Sequence, residues 1–487
     1  MKKNKSKKSA IFLSANVIAL SGMLLSSTSA FAQFYETEKF KATATVKNQF
    51  LYEDNRSLGQ TKDDDTTSFS VEGRIQTEYS PSDRAKFYLD ARGVALTGDL
   101  FEDSVTGETL QAEEFLQLRQ AWFSYDLDEQ IENTSIKVGR QRIREGYGIW
   151  WNNDQDAITA KYDTTQFQGF AGIGQNLYSY NTADDEFRGS EKERFRAFAE
   201  GSWMTPFQCK LDLRAMYEND HSGTPDVGTN LTRDERDDED GQLFWVGARI
   251  ENQKNEGSKD KPFLAYRADV IGVTGQIEDI TTVSGEGTSR TVSGSNDVDV
   301  SGWAFDGQVD YEMNHLPLKP VVTLGYAYGS GDDDNGEDGK SNGFIQSDLH
   351  SNTSYDLGSS RPIHNYGEAF RPDLSNLHII KAGGTLNITD NSDVSLVYRK
   401  YRLADEGSQL RSSRARQSVN GDSKDVGQGV DFVFNSNIAK ELKIDVPALS
   451  GLSFRSSLGV FKSGDAYANT SEDETMIRGL AEIQIKF

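Results

Sequence analysis

In the stretch Ile477-Arg478-Gly479-Leu480-Ala481-Glu482-Ile483-Gln484-Ile485-Lys486-Phe487, one parity carries Ile477, Ala481, Ile483, Ile485 and Phe487. The other carries Arg478, Glu482, Gln484 and Lys486, with Leu480 as its one apolar member. Successive side chains of a strand leave opposite faces of a sheet, so this pattern describes a strand that is apolar on one face and wet on the other. An aromatic residue closing the apolar face fits the girdle at the edge of a membrane barrel. Further back the same period returns. Phe69, Val71, Gly73 and Ile75 alternate with Glu72, Arg74 and Gln76, and Trp303, Phe305, Val309 and Tyr311 alternate with Asp306, Gln308 and Asp310.

Short breaks near residues 81–83, 127–133, 163–165, 205–206, 255–261, 314–317 and 389–392 alternate with long polar connections near 54–66, 98–113, 142–156, 178–191, 219–240, 275–300, 330–375, 403–424 and 462–473. Tight turns on one side and long loops on the other predict an all-β fold, an antiparallel up-and-down barrel spanning an outer membrane. The segments number about eighteen, enough to enclose a water-filled lumen. Residues 435–450 depart from the rule. They fall on the short-turn side yet are long, and they carry Ile438, Leu442, Ile444, Val446 and Leu449, which makes this periplasmic turn a candidate to fold into or under the pore.

At the N-terminus, Lys2, Lys3, Lys5, Lys7 and Lys8 precede an apolar run from Ile11 to Leu25, and small residues follow around Ala30 and Ala32. This is the layout of a cleaved secretory signal peptide over residues 1–32, with the barrel occupying 33–487. After Gln33 no stretch approaches the ~20 apolar residues of a spanning helix. A membrane reading therefore requires strands. The formal charge of −24 argues against nucleic acid as a partner, because such binding needs a net basic face.

The acid sits mostly in the connections, as in Asp63-Asp64-Asp65, while arginine recurs inside the alternating segments. Parity points Lys47, Arg74, Arg92, Arg119, Arg214, Arg267, Arg455 and Arg478 into the lumen, together with Glu72, Glu78, Asp90, Asp212, Asp269, Asp431 and Glu482. Two readings stand. Each arginine on its own is as well explained by bracing an inward carboxylate. As a set they describe a ladder of guanidinium groups whose paired donors match the carboxylates of a sugar acid.

No catalytic, cofactor or metal constellation is expected. The run Asp332-Asp333-Asp334-Asn335-Gly336-Glu337-Asp338 misses calcium-loop spacing, the five histidines are scattered, and Cys209 stands alone. Trp150-Trp151 reads as an interfacial anchor or a packing element ahead of a sugar platform.

Longer motifs are more specific than any alternation. Val138-Gly139-Arg140-Gln141-Arg142-Ile143-Arg144-Glu145-Gly146-Tyr147-Gly148-Ile149-Trp150-Trp151, His364-Asn365-Tyr366-Gly367-Glu368-Ala369-Phe370-Arg371, Leu374-Ser375-Asn376-Leu377 and Phe461-Lys462-Ser463-Gly464-Asp465-Ala466-Tyr467 follow one another in order. From about Val46 to Phe487 the chain resembles the alginate export porin family. The resemblance implies an eighteen-stranded barrel with an arginine-lined selectivity zone, gated by an external loop and a long periplasmic turn. It implies a substrate path at Lys47, Arg74, Arg119, Arg140 or Arg142, Arg371, Arg455 and Glu482, with Arg361 a near match shifted by Pro362. The implied partners are an anionic, alginate-like polysaccharide, outer-membrane lipids and lipopolysaccharide, and periplasmic export proteins.

Two positions depart from the family pattern. Asn365 stands where the family usually has arginine. Arg140 and Arg142 share parity with the apolar Ile136 and Val138, so either a bulge after Gly139 reverses the faces or the strand ends there. The competing functions are an uptake or general porin and, from another class, an outer-membrane adhesin or enzyme built on external loops.

Overall fold

The computed structural model describes residues 36–60, 64–98, 114–127, 131–178, 180–183, 193–231, 239–252, 261–284, 290–333, 336, 338–355, 357–446, 449–467 and 474–487. The leader expected over residues 1–32 and much of the connections at 98–113, 178–191 and 462–473 lie outside them.

Eighteen strands form the wall. The first nine are β1 (Phe40–Asp54), β2 (Thr66–Tyr79), β3 (Ala85–Gly98), β4 (Glu114–Asp126), β5 (Thr134–Arg144), β6 (Asn152–Asp163), β7 (Phe167–Gly174), β8 (Phe195–Met204) and β9 (Cys209–Asp220). The others are β10 (Glu239–Asn252), β11 (Pro262–Ser284), β12 (Arg290–Met313), β13 (Val321–Gly329), β14 (Leu377–Thr389), β15 (Ser392–Leu403), β16 (Asp425–Ser436), β17 (Ser453–Ser463) and β18 (Thr475–Lys486). Each pairs antiparallel with its neighbour in sequence, and β18 returns to β1 with Lys47 opposite Gln484 and Gln49 opposite Glu482. The sheet is closed and has no edge.

Period two survives in three dimensions. Ile75, Leu116, Ile158, Leu213, Leu324 and Leu396 are exposed around the outside of the ring. At the short-turn end the outer face carries Tyr79, Phe87, Tyr162, Phe167, Trp203 and Tyr311, an aromatic belt of the kind that marks a membrane interface. No helix among the described residues is long and apolar enough to cross a membrane. The strands make the crossing.

Two connections differ from the sequence reading. Residues 275–300, read as a long polar loop, instead continue the β11–β12 hairpin as paired strands out to Ser284 and Arg290. The physical reason is that the alternation persists among the polar residues: Ile277, Ile280, Val292, Val298 and Val300 are buried, and Ile280 packs with Val292. The connection near 142–156 shrinks to 145–151. It dives into the molecule, burying Ile149, Trp150 and Trp151.

The lumen is partly filled. Between β13 and β14 the described residues of the long segment 330–376 turn inward and bury Phe344, Ile345, Leu349, Tyr366, Phe370 and Leu374 against Trp150, Trp151 and the inner wall. Trp245 on β10 donates Nε1–H to the Ile345 carbonyl at 2.7 Å, and Gln346 and Ser347 bond to the carbonyls of Ile149 and Trp150. Inside the barrel the segment makes its own small antiparallel pair, Thr353–Ser354 with Ile363–His364. Its far end reaches the turn side of the wall, where Ser360 N–H meets Asp393 at the start of β15. By contrast, the connection after β16 forms a helical turn, Ile438–Glu441, tied by Glu441 to Ser392 at 2.7 Å on the neighbouring turn.

Candidate functional site

The inward segment leaves open the lumen beside β1–β4 and β18. A cavity of about 270 Å³ lies there, lined by Lys47, Glu72, Arg74, Gln76, Arg92, Arg119, Glu482, Gln484 and Lys486 among others. Register explains the gathering. Thr45 faces Arg74, Arg74 faces Arg92 and Lys47 faces Glu72, so the charged faces of three adjacent strands form one surface. Arg119 arrives differently. The β3–β4 register slips between Asp90 and Ala91, leaving Arg119 as an extra residue in β4 that projects into the cavity.

Every cation of this wall that resemblance singles out has a carboxylate partner. Arg74 forks onto the fully buried Asp90, with Nε at 2.7 Å. Lys47 and Arg92 share Glu72 at 3.2 and 2.9 Å. Arg119 and Arg142 share Asp154 at 3.3 and 3.8 Å. Asp90 holds Arg74 alone, but Glu72 and Asp154 each serve two cations and satisfy neither fully, so positive charge remains beside the cavity.

From the other side the inward segment contributes its own charges. Glu368 is almost completely buried and meets Arg371 at 2.7 Å, Arg455 at 3.3 Å and Arg478 at 3.6 Å, while it accepts the His364 N–H at 3.0 Å. Burial alone would raise its pKa, but the surrounding guanidinium groups hold it well below the ordinary carboxylate range. Burial, reinforced by nearby Arg371, pushes the His364 imidazole well below its usual value and keeps it neutral. Nε of Arg455 has no hydrogen-bond partner among the described residues. Arg361, near the far end of the segment, joins Glu482 at 2.6 Å and also contacts Ser453.

The sequence-predicted residues therefore fall into groups. Lys47, Arg74, Arg119 and Glu482 line one cavity, Arg361 reaches it through Glu482, and Arg142 connects to it through Asp154. Arg371 and Arg455 converge on Glu368. Arg140 stands apart. It lies over the Tyr180 ring at 4.1 Å and 3.8 Å from Asp156, whose carboxylate also takes the Tyr180 hydroxyl. Neither alternative for Arg140 and Arg142 holds, since β5 runs on in unbroken register with β6 through Arg144. What ends at Ala121–Arg140 is the pairing of β5 with β4, and residues 180–182 then bond to Leu116 and Leu118 of β4 instead. Asn365, at the position of the missing arginine, is consumed by Ser354 and Asn352 inside the segment and by the Tyr147 carbonyl of the 145–151 connection.

Sequence reasoning missed Arg399 and Arg249, both fully buried. Arg399 joins Asp431 and caps the carbonyls of His364 and Asn365, and Arg249 joins Asp269 and Glu145. Burial opposes the charge of Glu145, but Arg249 and Arg214 outweigh it and bring its pKa down to about 2. These arginines fasten the inward segments to the wall. Their neighbours Val397 and Tyr401 also face inward, so an apolar-outside rule hides them.

Comparison with known proteins agrees with this geometry. The family model for alginate export matches residues 38–479. The alginate production protein AlgE of Pseudomonas aeruginosa is 27% identical over 418 residues, covering 82% of each chain. AlgE of Pseudomonas syringae pv. tomato is 28% identical over 394 residues, covering 77% of this chain and 76% of that one. Among solved structures, the outer membrane protein OprD of Pseudomonas aeruginosa superposes with a TM-score of 0.53 at 11% identity, covering 93% and 96% of the two chains, a likeness of fold. With its eighteen-stranded ring, its outer apolar belt and a family match over nearly all of the barrel, this bacterial outer-membrane protein belongs to the alginate export family.

Proposed function

We propose that this chain is the outer-membrane channel through which an anionic polysaccharide of the alginate type leaves the cell, by passive movement along a path selective for anions. The observation that carries the reading is the convergence of Lys47, Arg74, Arg119 and Glu482 on one lumenal cavity beside the inward segment. A uronate entering the cavity offers each guanidinium a carboxylate equivalent to the one it already holds. Exchange of partners then costs little in either direction, which is what a conducting site requires. Lys47, Arg74, Arg119, Arg142 and Arg455 act on the wall, and Arg361 and Arg371 act from the segment that narrows the lumen. The outer apolar belt faces lipid and lipopolysaccharide, and a leader over residues 1–32 directs export.

The test replaces Arg74, Arg119 and Arg455 together with Ala. Loss of Arg74 leaves Asp90 unpaired, while Asp154 keeps Arg142 and Glu368 keeps Arg371 and Arg478, so the lumen becomes less positive locally, over roughly 8 Å at physiological ionic strength. Reversal potentials in a salt gradient across a planar bilayer are expected to move toward cation preference. A folded triple variant with an unaltered reversal potential would leave the arginines as bracing only and remove the anion path.

A further inference from the structure

A second basic chamber lies on the stretch of wall formed by β5–β9. It has a volume of about 240 Å³ and is lined by Lys137, Arg142, Arg144, Lys161, Lys210 and Glu200, with Phe170 as its main apolar face. Three of its lysines sit at the turn ends of their strands: Lys137 is the fourth residue of β5, Lys161 lies two residues before the end of β6, and Lys210 is the second residue of β9. The chamber therefore opens toward the periplasmic mouth. Above it, Phe170 packs against Trp151 at a centroid distance of 5.8 Å, so the inward 145–151 connection forms its roof.

Its charge differs from that of the first cavity. Lys161 and Lys210 have partners, Asp163 at 2.5 Å and Asp212 at 3.0 Å. Lys137 and Arg144 have no carboxylate within ion-pair distance among the described residues, and Lys137 Nζ instead lies 4.4 Å above the Trp122 ring. Glu200, the acidic member of the lining, is engaged by Arg214 at 2.6 Å. On Lys137 and Arg144 the chamber thus presents cationic charge that no carboxylate of the described residues neutralises. It is joined to the first cavity by one carboxylate, Asp154, which holds Arg142 from this chamber and Arg119 from the other.

We propose that this chamber is the capture site for the leading end of the acidic polymer on the periplasmic side, ahead of the Lys47–Arg74–Arg119 cavity. This rests on the export reading. The unpaired Lys137 at the mouth attracts the first sugar carboxylates, Arg144 at the roof end of β5 draws them inward, and the shared Asp154 passes the chain between chambers by releasing one arginine as it keeps the other. The ligand class is a carboxylated sugar oligomer, and the step is reversible ionic binding with no bond made or broken.

The probe is a short oligouronate added to one side of a bilayer containing single channels of the whole protein, with the turn side identified by protease cleavage of the external loops. The readout is the rate of blocking events. In the variant Lys137→Gln/Lys161→Gln/Lys210→Gln the blocking rate from the turn side is expected to fall about tenfold, the scale of electrostatic steering, while that from the loop side is kept. Lys137→Gln alone breaks no ion pair and is expected to give about a threefold fall, which keeps the test open should the triple variant not fold. Block of the wild type with equal rates in the variants overturns the capture site and leaves the export reading standing. A chloride reversal potential that falls as the blocking rate stays the same assigns the chamber to small ions and also overturns it. Absence of any block of the wild type from either side sinks both readings.

Discussion

Replacing Glu368 with Gln should release the segment that fills the lumen. Its carboxylate is nearly out of contact with solvent and meets Arg371, Arg455 and Arg478 at 2.7, 3.3 and 3.6 Å. Glutamine keeps the shape and can still accept the His364 N–H, so packing is undisturbed. What is lost is the charge that neutralises three guanidinium groups, of which, among the described residues, Arg478 alone keeps a second carboxylate, Glu53 at 3.2 Å. Removing one partner of a buried pair costs about 3–5 kcal/mol, and the wet side of the lumen argues for the lower end, about 3 kcal/mol. At ~1.4 kcal/mol per decade, the displaced state of residues 330–376 gains roughly a hundredfold in population. Single-channel recording should show a larger conductance level that the wild type visits rarely, and limited proteolysis should cut within residues 338–355. Heat-modifiable migration on gels reports that the wall is still closed. A folded variant with the wild-type conductance histogram and the wild-type cleavage pattern would refute the idea that Glu368 pins the segment.

Two further outcomes follow from the same geometry. Burial works against the charge on His350, but Asp373 at 2.9 Å outweighs it and raises the imidazole pKa above 6.5. A raised folded-state pKa means that the contribution is complete below pH 6.5 and is lost as pH climbs through the higher folded value. Proteolysis of residues 338–355 should therefore speed up above pH 6.5 in the wild type and lose that pH dependence in His350→Gln. Gly139 has φ +118°, and a Cβ there would stand 2.3 Å from the Ala121 carbonyl, so Gly139→Ala is expected to cost about 1–3 kcal/mol and lower the temperature of heat modification. An unchanged transition would mean that the β4–β5 seam yields at no cost.

The wall was legible because lipid outside and water inside impose opposite demands on neighbouring residues, and Ile477 to Phe487 obey them almost without exception. Loop asymmetry was legible too, with the strand breaks near residues 81–83, 163–165 and 389–392 falling on turns. The inward segment was not. Phe344, Ile345, Leu349, Tyr366, Phe370 and Leu374 have no common period, since an irregular chain buried among other side chains has no repeating face. It also inverts the rule for the wall it covers: Tyr401, Trp245 and Leu243 face inward because they pack on that segment, as does Val397 against Leu357 and Ile363. The cavity residues Lys47, Arg74 and Glu482 came through because their strands border open lumen, where parity and polarity agree. Arg119 was placed inward by parity, but a bulge puts it there. Arg140 is displaced because β4 abandons β5 just where it begins.

The seam between β1 and β18 sets how the protein must come into being. Their ten registered pairs, with Phe487 N–H bonded to the Ala44 carbonyl at 2.8 Å, join the first wall segment to be synthesised with the last. No local hairpin can nucleate such a joint, so it waits for the slowest contact in the chain. Until then the precursor is a curled sheet with two bare margins, each a template for the wrong partner. A chain lacking β18 is therefore not a narrower pore but an adhesive intermediate, and quality control during assembly has one event to sense, the meeting of these two strands.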